Sequence, residues 1–185
     1  MAATPYHPVP LLETARLLLR GYKPDDLPAF AAMFQQPAFY RYLTGHPVGE
    51  EEVWTRLLRS AGHWVLHGFG FWAVEEKASG QFIGSLGFVD RKRDITPSVK
   101  GTPEIGWVLD PATHGKGYAT EAVQAALAWG DKHFQGGRTV CLMDPANQAS
   151  RRIAEKFGYQ EYARTLYHGT PTVMLERLAQ PSQSI

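Results

Sequence analysis

The sequence predicts an α+β (mixed α/β) domain built around one sheet. Its hydrophobic patterns give one strand, two helices, three strands, and then helix, strand, helix and two strands. This order fits neither a regular βα alternation nor an all-β run. The two best-patterned helices keep the i, i+3, i+4 spacing of amphipathic helices. The chain has 185 residues, of which 44% are hydrophobic, and this is enough for the core of one domain.

The first half of the chain contains a predicted strand over 16–20 and a helix that starts at Pro24. A stronger helix follows Gly49, and strands 70–75 and 82–89 come after it, joined by a hairpin turn. The stronger helix is predicted from seven apolar positions on one face: Val53, Trp54, Leu57, Leu58, Ala61, Trp64 and Val65.

The second half begins with a polar, basic loop over 90–102. The remaining predicted elements are strand 104–109, helix 117–134, strand 139–143, a helix from Asn147 to Phe157, and strands 159–163 and 172–176. We expect one domain over 13–178, an N-terminal extension over 1–12 and a flexible C-terminal tail over 179–185.

Charge and composition exclude several classes of function. Lys and Arg number 19 and Asp and Glu number 18, so a net charge of +1 gives no global field to collect nucleic acid or membrane. The single Cys141 excludes an internal disulfide. No apolar run approaches the ~20 residues that span a bilayer, and residues 1–10 lack the apolar core of a secretory signal. We therefore expect a cytoplasmic protein.

The most informative segment for chemistry is the turn between strand 104–109 and helix 117–134, where Gly115 and Gly117 stand close together. Glycines allow the backbone to approach a ligand, and the first N–H groups of a helix form an anion site. One interpretation is a glycine-rich connection without a ligand. A Walker loop is excluded because its string is missing, and a Rossmann fingerprint fails at Thr120 and in its context.

The string His114-x-x-Gly117-x-Ala119 resembles the acetyl-CoA signature Gln/Arg-x-x-Gly-x-Gly/Ala of the GNAT superfamily of N-acetyltransferases. His114 departs from the usual Arg or Gln. Four segments in the same order resemble the branch that contains the ribosomal-protein N-terminal acetyltransferases: 13–26, 104–109, 115–122 and 147–159.

The resemblance implies a curved, mostly antiparallel central sheet that is splayed in the middle, with helices on both faces. It implies acetyl-CoA (coenzyme A) as the acyl donor and no metal. Backbone groups of 115–120 would hold the pyrophosphate, while Val108, Leu109 and Asn147 would hold the pantetheine arm. Coenzyme A contacts are thereby implied for Val108, Leu109, His114, Gly115, Lys116, Gly117, Tyr118, Ala119, Thr120, Asn147 and Ser150.

The acceptor implied by the resemblance is a primary amine, on a protein N-terminus or a small molecule. Direct attack needs the neutral amine, which costs roughly 4 kcal/mol for a lysine at pH 7.4 and roughly 1 kcal/mol for an α-amino group. Glu104, at the start of the central strand, is the candidate base, and an ordinary strand-end carboxylate is the alternative. The protein itself is expected to be a monomer or a homodimer.

The departing thiolate needs a proton or a hydrogen bond. Many GNAT enzymes use a tyrosine at the position of Ala154, so that acid is missing here. Ser150 is the candidate replacement, and hydroxyl bonding within the first helical turn is the alternative. The missing tyrosine keeps open a second function, a non-catalytic module that binds or senses acyl-CoA.

Three other features have simpler interpretations. Cys141 is expected to be a buried structural thiol. His63 and His67 have a spacing that suits a metal, but no third ligand converges with them. The basic run 91–93 is expected to be a solvated loop rather than a surface that steers acidic acceptors.

Overall fold

A computed structural model describes residues 8–178, in which eight strands form one mostly antiparallel sheet with five α-helices. The strand order is β1-β2-β3-β4-β5-β6-β8-β7. The strands are β1 (Leu12–Glu13), β2 (Leu17–Arg20), β3 (Phe71–Glu76), β4 (Gln81–Val89), β5 (Glu104–Leu109), β6 (Thr139–Met143), β7 (Gln160–Tyr167) and β8 (Thr170–Arg177). The helices are α1 (Leu27–Met33), α2 (Pro37–Tyr40), α3 (Glu50–His67), α4 (Tyr118–His133) and α5 (Gln148–Lys156). The predicted fold class is confirmed.

β5 and β6 pair in parallel, with Glu104 in register with Val140. That pair lies at the first residue of β5 and the second residue of β6. The Val140 N–H also donates to the Pro103 carbonyl at 3.0 Å. The two strands therefore pair at their beginnings.

The described residues form two compact units, and the first comprises residues 8–87 together with Trp107–Ala125. Its interior holds aromatic rings in edge-to-face contact, such as Phe30 against Phe82, with centroids 5.3 Å apart. Arg20 is buried in this unit and donates to both oxygens of Asp26 at 2.8 Å. This paired charge fixes the turn into α1.

The second unit comprises Phe88–Gly106 and residues 126–178. β6, β8 and β7 form a continuous antiparallel ladder in it. Val140 and Met174 are fully buried there and form a cluster with Ile95 and Val99 from the loop after β4. The loop 90–102 is therefore folded over this unit's core and is not a loose surface segment.

Most predicted elements agree with the structure, and β5 and β6 have the predicted bounds. The prediction missed β1 and α2, and it made the last two strands too short. β1 spans the predicted boundary between extension and domain at residue 13. The predicted tail 179–185 and the first seven residues lie outside the described part of the chain. No described helix combines the length and apolar character needed to cross a membrane.

Candidate functional site

The connection from β5 to α4 is held in a fixed shape by local hydrogen bonds. The Asp110 N–H donates to the Ile83 carbonyl at 2.8 Å, which ties the end of β5 to β4. The Asp110 carboxylate accepts from the Ala112 N–H at 3.0 Å and caps a short 3-10 turn over Pro111–Thr113. The sequence Asp110-Pro111 thus begins a rigid turn directly after the strand.

Gly115 and Gly117 both adopt left-handed backbone conformations, with φ of 76° and 80°. L-residues rarely adopt these angles, so the turn requires glycine at both positions. The first helical hydrogen bond of α4 runs from the Glu121 N–H to the Gly117 carbonyl at 3.1 Å. The N–H groups of Tyr118, Ala119 and Thr120 precede that bond and have no carbonyl one turn back to accept them. The turn therefore has the geometry of an anion site.

Arg16, which directly precedes β2, connects to the middle of this turn. Its Nη1 donates to the Lys116 carbonyl at 2.8 Å, and its Nε donates to the Glu121 carboxylate at 2.7 Å. The guanidinium also lies 4.4 Å from the centre of the Tyr118 ring. One side chain thereby joins the glycine turn to the first turn of α4.

Glu121 receives further hydrogen bonds that fix Arg16 in place. Its carboxylate accepts from the Thr14 hydroxyl at 2.6 Å and from the Arg16 backbone N–H at 2.8 Å. Burial acts to raise the pKa of Glu121, but the hydrogen bonds from Thr14 and Arg16 outweigh it and hold that pKa below its ordinary value. Glu121 is therefore a stable anion around which the turn and the start of β2 are organised.

The other predicted residues of this turn have defined local roles. His114 places its Nε2 3.3 Å from the Leu109 carbonyl, which suits the Nε2–H tautomer and folds the ring back on the strand end. Tyr118 is buried, and its hydroxyl donates to Glu76. That hydrogen bond, with burial, raises the pKa of the Tyr118 hydroxyl. The Tyr118 proton is therefore already engaged by a carboxylate.

Glu104, the candidate base, is buried and its carboxylate is held by arginine. Arg93 donates from Nε and Nη2 to the two Glu104 oxygens, each at 2.7 Å. Arg91 Nε lies 3.6 Å from one of these oxygens. A bidentate arginine pair takes one lone pair on each Glu104 oxygen, so an incoming proton can reach only the lone pairs that remain. For Arg93, the predicted solvated loop position is wrong, because its side chain is 18% exposed and bound to Glu104.

Asn147 and Ser150 lie at the start of α5. The Asn147 side-chain Oδ1 accepts from the Ser150 N–H at 3.1 Å, and this confirms the predicted cap. Within residues 8–178, the Ser150 hydroxyl makes no hydrogen bond, so the first-turn bonding that was its alternative interpretation is not observed. Ala154, one turn later, is fully buried. The Ser150 hydroxyl is therefore available to a ligand.

Residues 16–160 match the family described as Acetyltransferase (GNAT) domain. The chain belongs to the GNAT acetyltransferase family. An uncharacterized protein of Bacillus subtilis strain 168, YkkB, is 30% identical over 164 residues, which cover 84% of this chain and 87% of YkkB.

Solved structures in the GNAT family have the same fold. A Bordetella pertussis protein assigned to the GnaT family has a TM-score of 0.80 and 32% identity, covering 91% of this chain and 99% of its own. The ribosomal L7/L12 alpha-N-protein acetyltransferase RimL, solved in complex with coenzyme A, has a TM-score of 0.72 and 18% identity, covering 92% and 98%. The predicted family resemblance is confirmed.

Two minor sequence features of this GNAT chain are also defined. Cys141 is buried, and burial together with the nearby Glu104 charge raises the pKa of its thiol, so the prediction of a structural thiol is confirmed. The rings of His63 and His67 stack with centroids 4.4 Å apart, and His63 Nδ1 bonds with the Phe69 carbonyl at 2.6 Å. In residues 8–178, no group of three side chains suited to a metal comes together.

Sequence reasoning missed the two arginines that organise the candidate residues of this GNAT chain. Arg16 and Glu121 are 105 positions apart, and a single sequence contains no signal that pairs them. Arg93 and Glu104 are 11 positions apart across a loop without periodicity. Both arginines lie in segments that the sequence patterns single out, but their partners are set by tertiary structure.

Proposed function

We propose that this GNAT protein transfers an acetyl group from acetyl-CoA to a primary amine by direct attack of the neutral amine. The observation that carries the proposal is the glycine turn before α4, where two left-handed glycines present successive N–H groups to an anion. Acetyl-CoA supplies the activated thioester, and the chemistry requires no metal. The family match over 16–160 supports the same class of reaction.

The family resemblance implies which residues hold acetyl-CoA, and the shape of the turn supports that assignment. N–H groups of 115–120 hold the pyrophosphate, and the backbone of Val108 and Leu109 pairs with the pantetheine arm. Asn147 uses its side-chain Oδ1 as a helix cap, which leaves its side-chain NH2 group as the donor to that arm. The exposed glycines fit this assignment, because no Cβ stands between the phosphates and the N–H groups.

The acceptor in this proposal is a protein N-terminus or a small amine. Deprotonating an α-amino group at pH 7.4 costs only roughly 1 kcal/mol, whereas deprotonating a lysine side chain costs roughly 4 kcal/mol. An enzyme with its candidate base held by Arg93 is better suited to the less costly amine. A structural neighbour described as an alpha-N-protein acetyltransferase supports the same direction.

The proposal is tested by thiol release from acetyl-CoA across peptides with free α-amines, lysine side chains and small amines. We expect the α-amines to react faster at pH 7.4, with the difference narrowing toward pH 10 as lysine deprotonates. Calorimetry with coenzyme A is the companion measurement. Absence of thiol release with every amine of the panel would contradict the proposal.

A non-catalytic module that binds acyl-CoA is the second candidate function, and two observations favour it. Ala154 stands, fully buried, where many GNAT enzymes place a tyrosine acid. Both carboxylate oxygens of Glu104 accept hydrogen bonds from Arg93. Coenzyme A binding without thiol release from any amine of the panel would select this function.

Replacing Ser150 with alanine is expected to lower kcat by about ten- to a hundredfold, or ~1.4–2.7 kcal/mol. The unpaired hydroxyl at the start of α5 is the donor available to the thioester sulfur, directly or through one water. Ser60→Ala is the matched control, because that helix hydroxyl already donates to the Arg56 carbonyl at 3.0 Å. A loss confined to KM for acetyl-CoA would make Ser150 an anchor, and parental values of both constants would remove it from the site.

A further inference from the structure

The glycine turn contains a peptide group whose orientation is not set by the helix or the strand around it. The orientation of the Lys116–Gly117 peptide depends on ψ of Lys116 and on φ of Gly117, and the left-handed glycine leaves the backbone on its C-terminal side permissive. Because a trans peptide is planar, its C=O and N–H point in opposite directions. Rotation of this one plane would turn the Gly117 N–H from one side of the turn to the other.

Arg16 holds that plane. Its Nη1 donates to the Lys116 carbonyl at 2.8 Å, so the carbonyl faces Arg16 and the Gly117 N–H faces away from it. The guanidinium is itself immobilised by Glu121, whose carboxylate accepts a hydrogen bond from Nε at 2.7 Å, and by its contact with the ring of Tyr118. The planar fork of arginine can serve the carboxylate and the carbonyl at the same time.

We infer that Arg16 is a positioning residue, which fixes the Lys116–Gly117 peptide so that the Gly117 N–H joins the helix N–H groups on a bound pyrophosphate. This inference rests on the proposed function, since it names how the same turn is kept in its binding orientation. Arg16 acts through the backbone, with its fork committed to Glu121 and to the Lys116 carbonyl.

The experiment compares the Kd of coenzyme A for the parent protein, Arg16→Ala, Arg16→Lys and Lys77→Ala by calorimetry. Arg16→Ala should raise the Kd about tenfold, which corresponds to ~1.4 kcal/mol. Arg16→Lys keeps the charge but loses the fork, so its Kd should lie between those of the parent and Arg16→Ala. Lys77 bonds Glu13 and the Thr14 carbonyl and anchors the same chain segment without touching the turn, so Lys77→Ala should keep the parental Kd.

Kinetics with the best amine separate positioning from general damage. Arg16→Ala should raise KM for acetyl-CoA about tenfold with kcat within about twofold of the parent, because only binding of the pyrophosphate is affected. A comparable fall in kcat, or a Kd change shared by Lys77→Ala, would overturn the inference. An Arg16→Lys protein with the parental Kd would show that charge alone is enough and would also overturn it.

Coenzyme A binding distinguishes a failure of the proposed function from a failure of the inference about Arg16. A parent protein that does not bind coenzyme A overturns the proposed function and this inference with it. A parent that binds coenzyme A, together with an Arg16→Ala variant of equal affinity, overturns the inference alone. Arg16→Lys retains a cation beside Glu121 and provides the same comparison if the alanine variant does not fold.

Discussion

Replacing Glu104 with glutamine is expected to lower kcat/KM for amine acetylation by about 10²–10⁴ if Glu104 is the general base. The loss should shrink as the pH approaches the pKa of the amine, because the amine then deprotonates in solution without help. The affinity for acetyl-CoA should change little. The measurement is kcat/KM across pH for the parent and Glu104→Gln with one α-amine, and pH profiles that stay parallel would contradict the base role.

Glu104→Gln also breaks the ion pair with Arg93, and the resulting loss of stability can contribute to the loss of activity. Glu104 and Arg93 have side chains only 8% and 18% exposed, so removing one partner leaves the other charge poorly solvated. Removing one partner of a buried ion pair lowers the free energy of unfolding by ~3–5 kcal/mol. Urea unfolding of each variant therefore has to accompany the rate measurements.

Arg93→Gln is the matched control, because it breaks the same pair and leaves the Glu104 carboxylate in place. If Glu104 is the base, Arg93→Gln should lose stability as Glu104→Gln does but keep far more of the activity, since the carboxylate is freed to accept a proton. Arg91, whose Nε lies 3.6 Å from Glu104, still partly balances that charge. Equal losses of activity in the two variants would assign Glu104 a structural role.

The parts of this protein that local patterns determine were predictable from its sequence. Helix α3 follows from apolar spacing that lasts four turns, and it begins after Gly49 as predicted. β1 was not predictable, because two residues show no alternation and exist as a strand only through pairing with Leu18 and Leu19. The last hairpin was predicted too short because β7 has no buried residue, and its apolar–polar alternation is therefore weak.

The same distinction between local patterns and tertiary contacts applies to the candidate site. The glycine turn and the Asn147 cap are local, and their residues are recognisable from spacing alone. Side-chain pairings that cross from one element to another are not, so Glu104 could be chosen as a base without any sign that Arg93 holds both its oxygens. The sequence locates where chemistry can occur, and the tertiary contacts determine which groups are free to perform it.

Replacing Gly117 with valine is expected to raise the Kd of coenzyme A by about a hundredfold, or ~2.7 kcal/mol. A side chain there would crowd the phosphates, and the structure adds a second reason. A Cβ at Gly117 would point toward Arg16, 3.5 Å from its Nη2, and the larger valine side chain would press on that guanidinium. With φ of 80° the backbone would also be strained, so the turn would rotate and withdraw its N–H groups.

Gly169→Val is the matched control for the strain at Gly117. Gly169 lies in the β7–β8 turn with φ of 79°, and a Cβ at this position would have no neighbouring atom within 4 Å among residues 8–178. Both substitutions should therefore lower stability by a similar amount, roughly 1–2 kcal/mol for a left-handed L-residue. Only Gly117→Val should weaken coenzyme A binding in calorimetry, because only that glycine belongs to the turn before α4. Equal affinity in Gly117→Val and the parent would remove the glycine turn from the coenzyme A site.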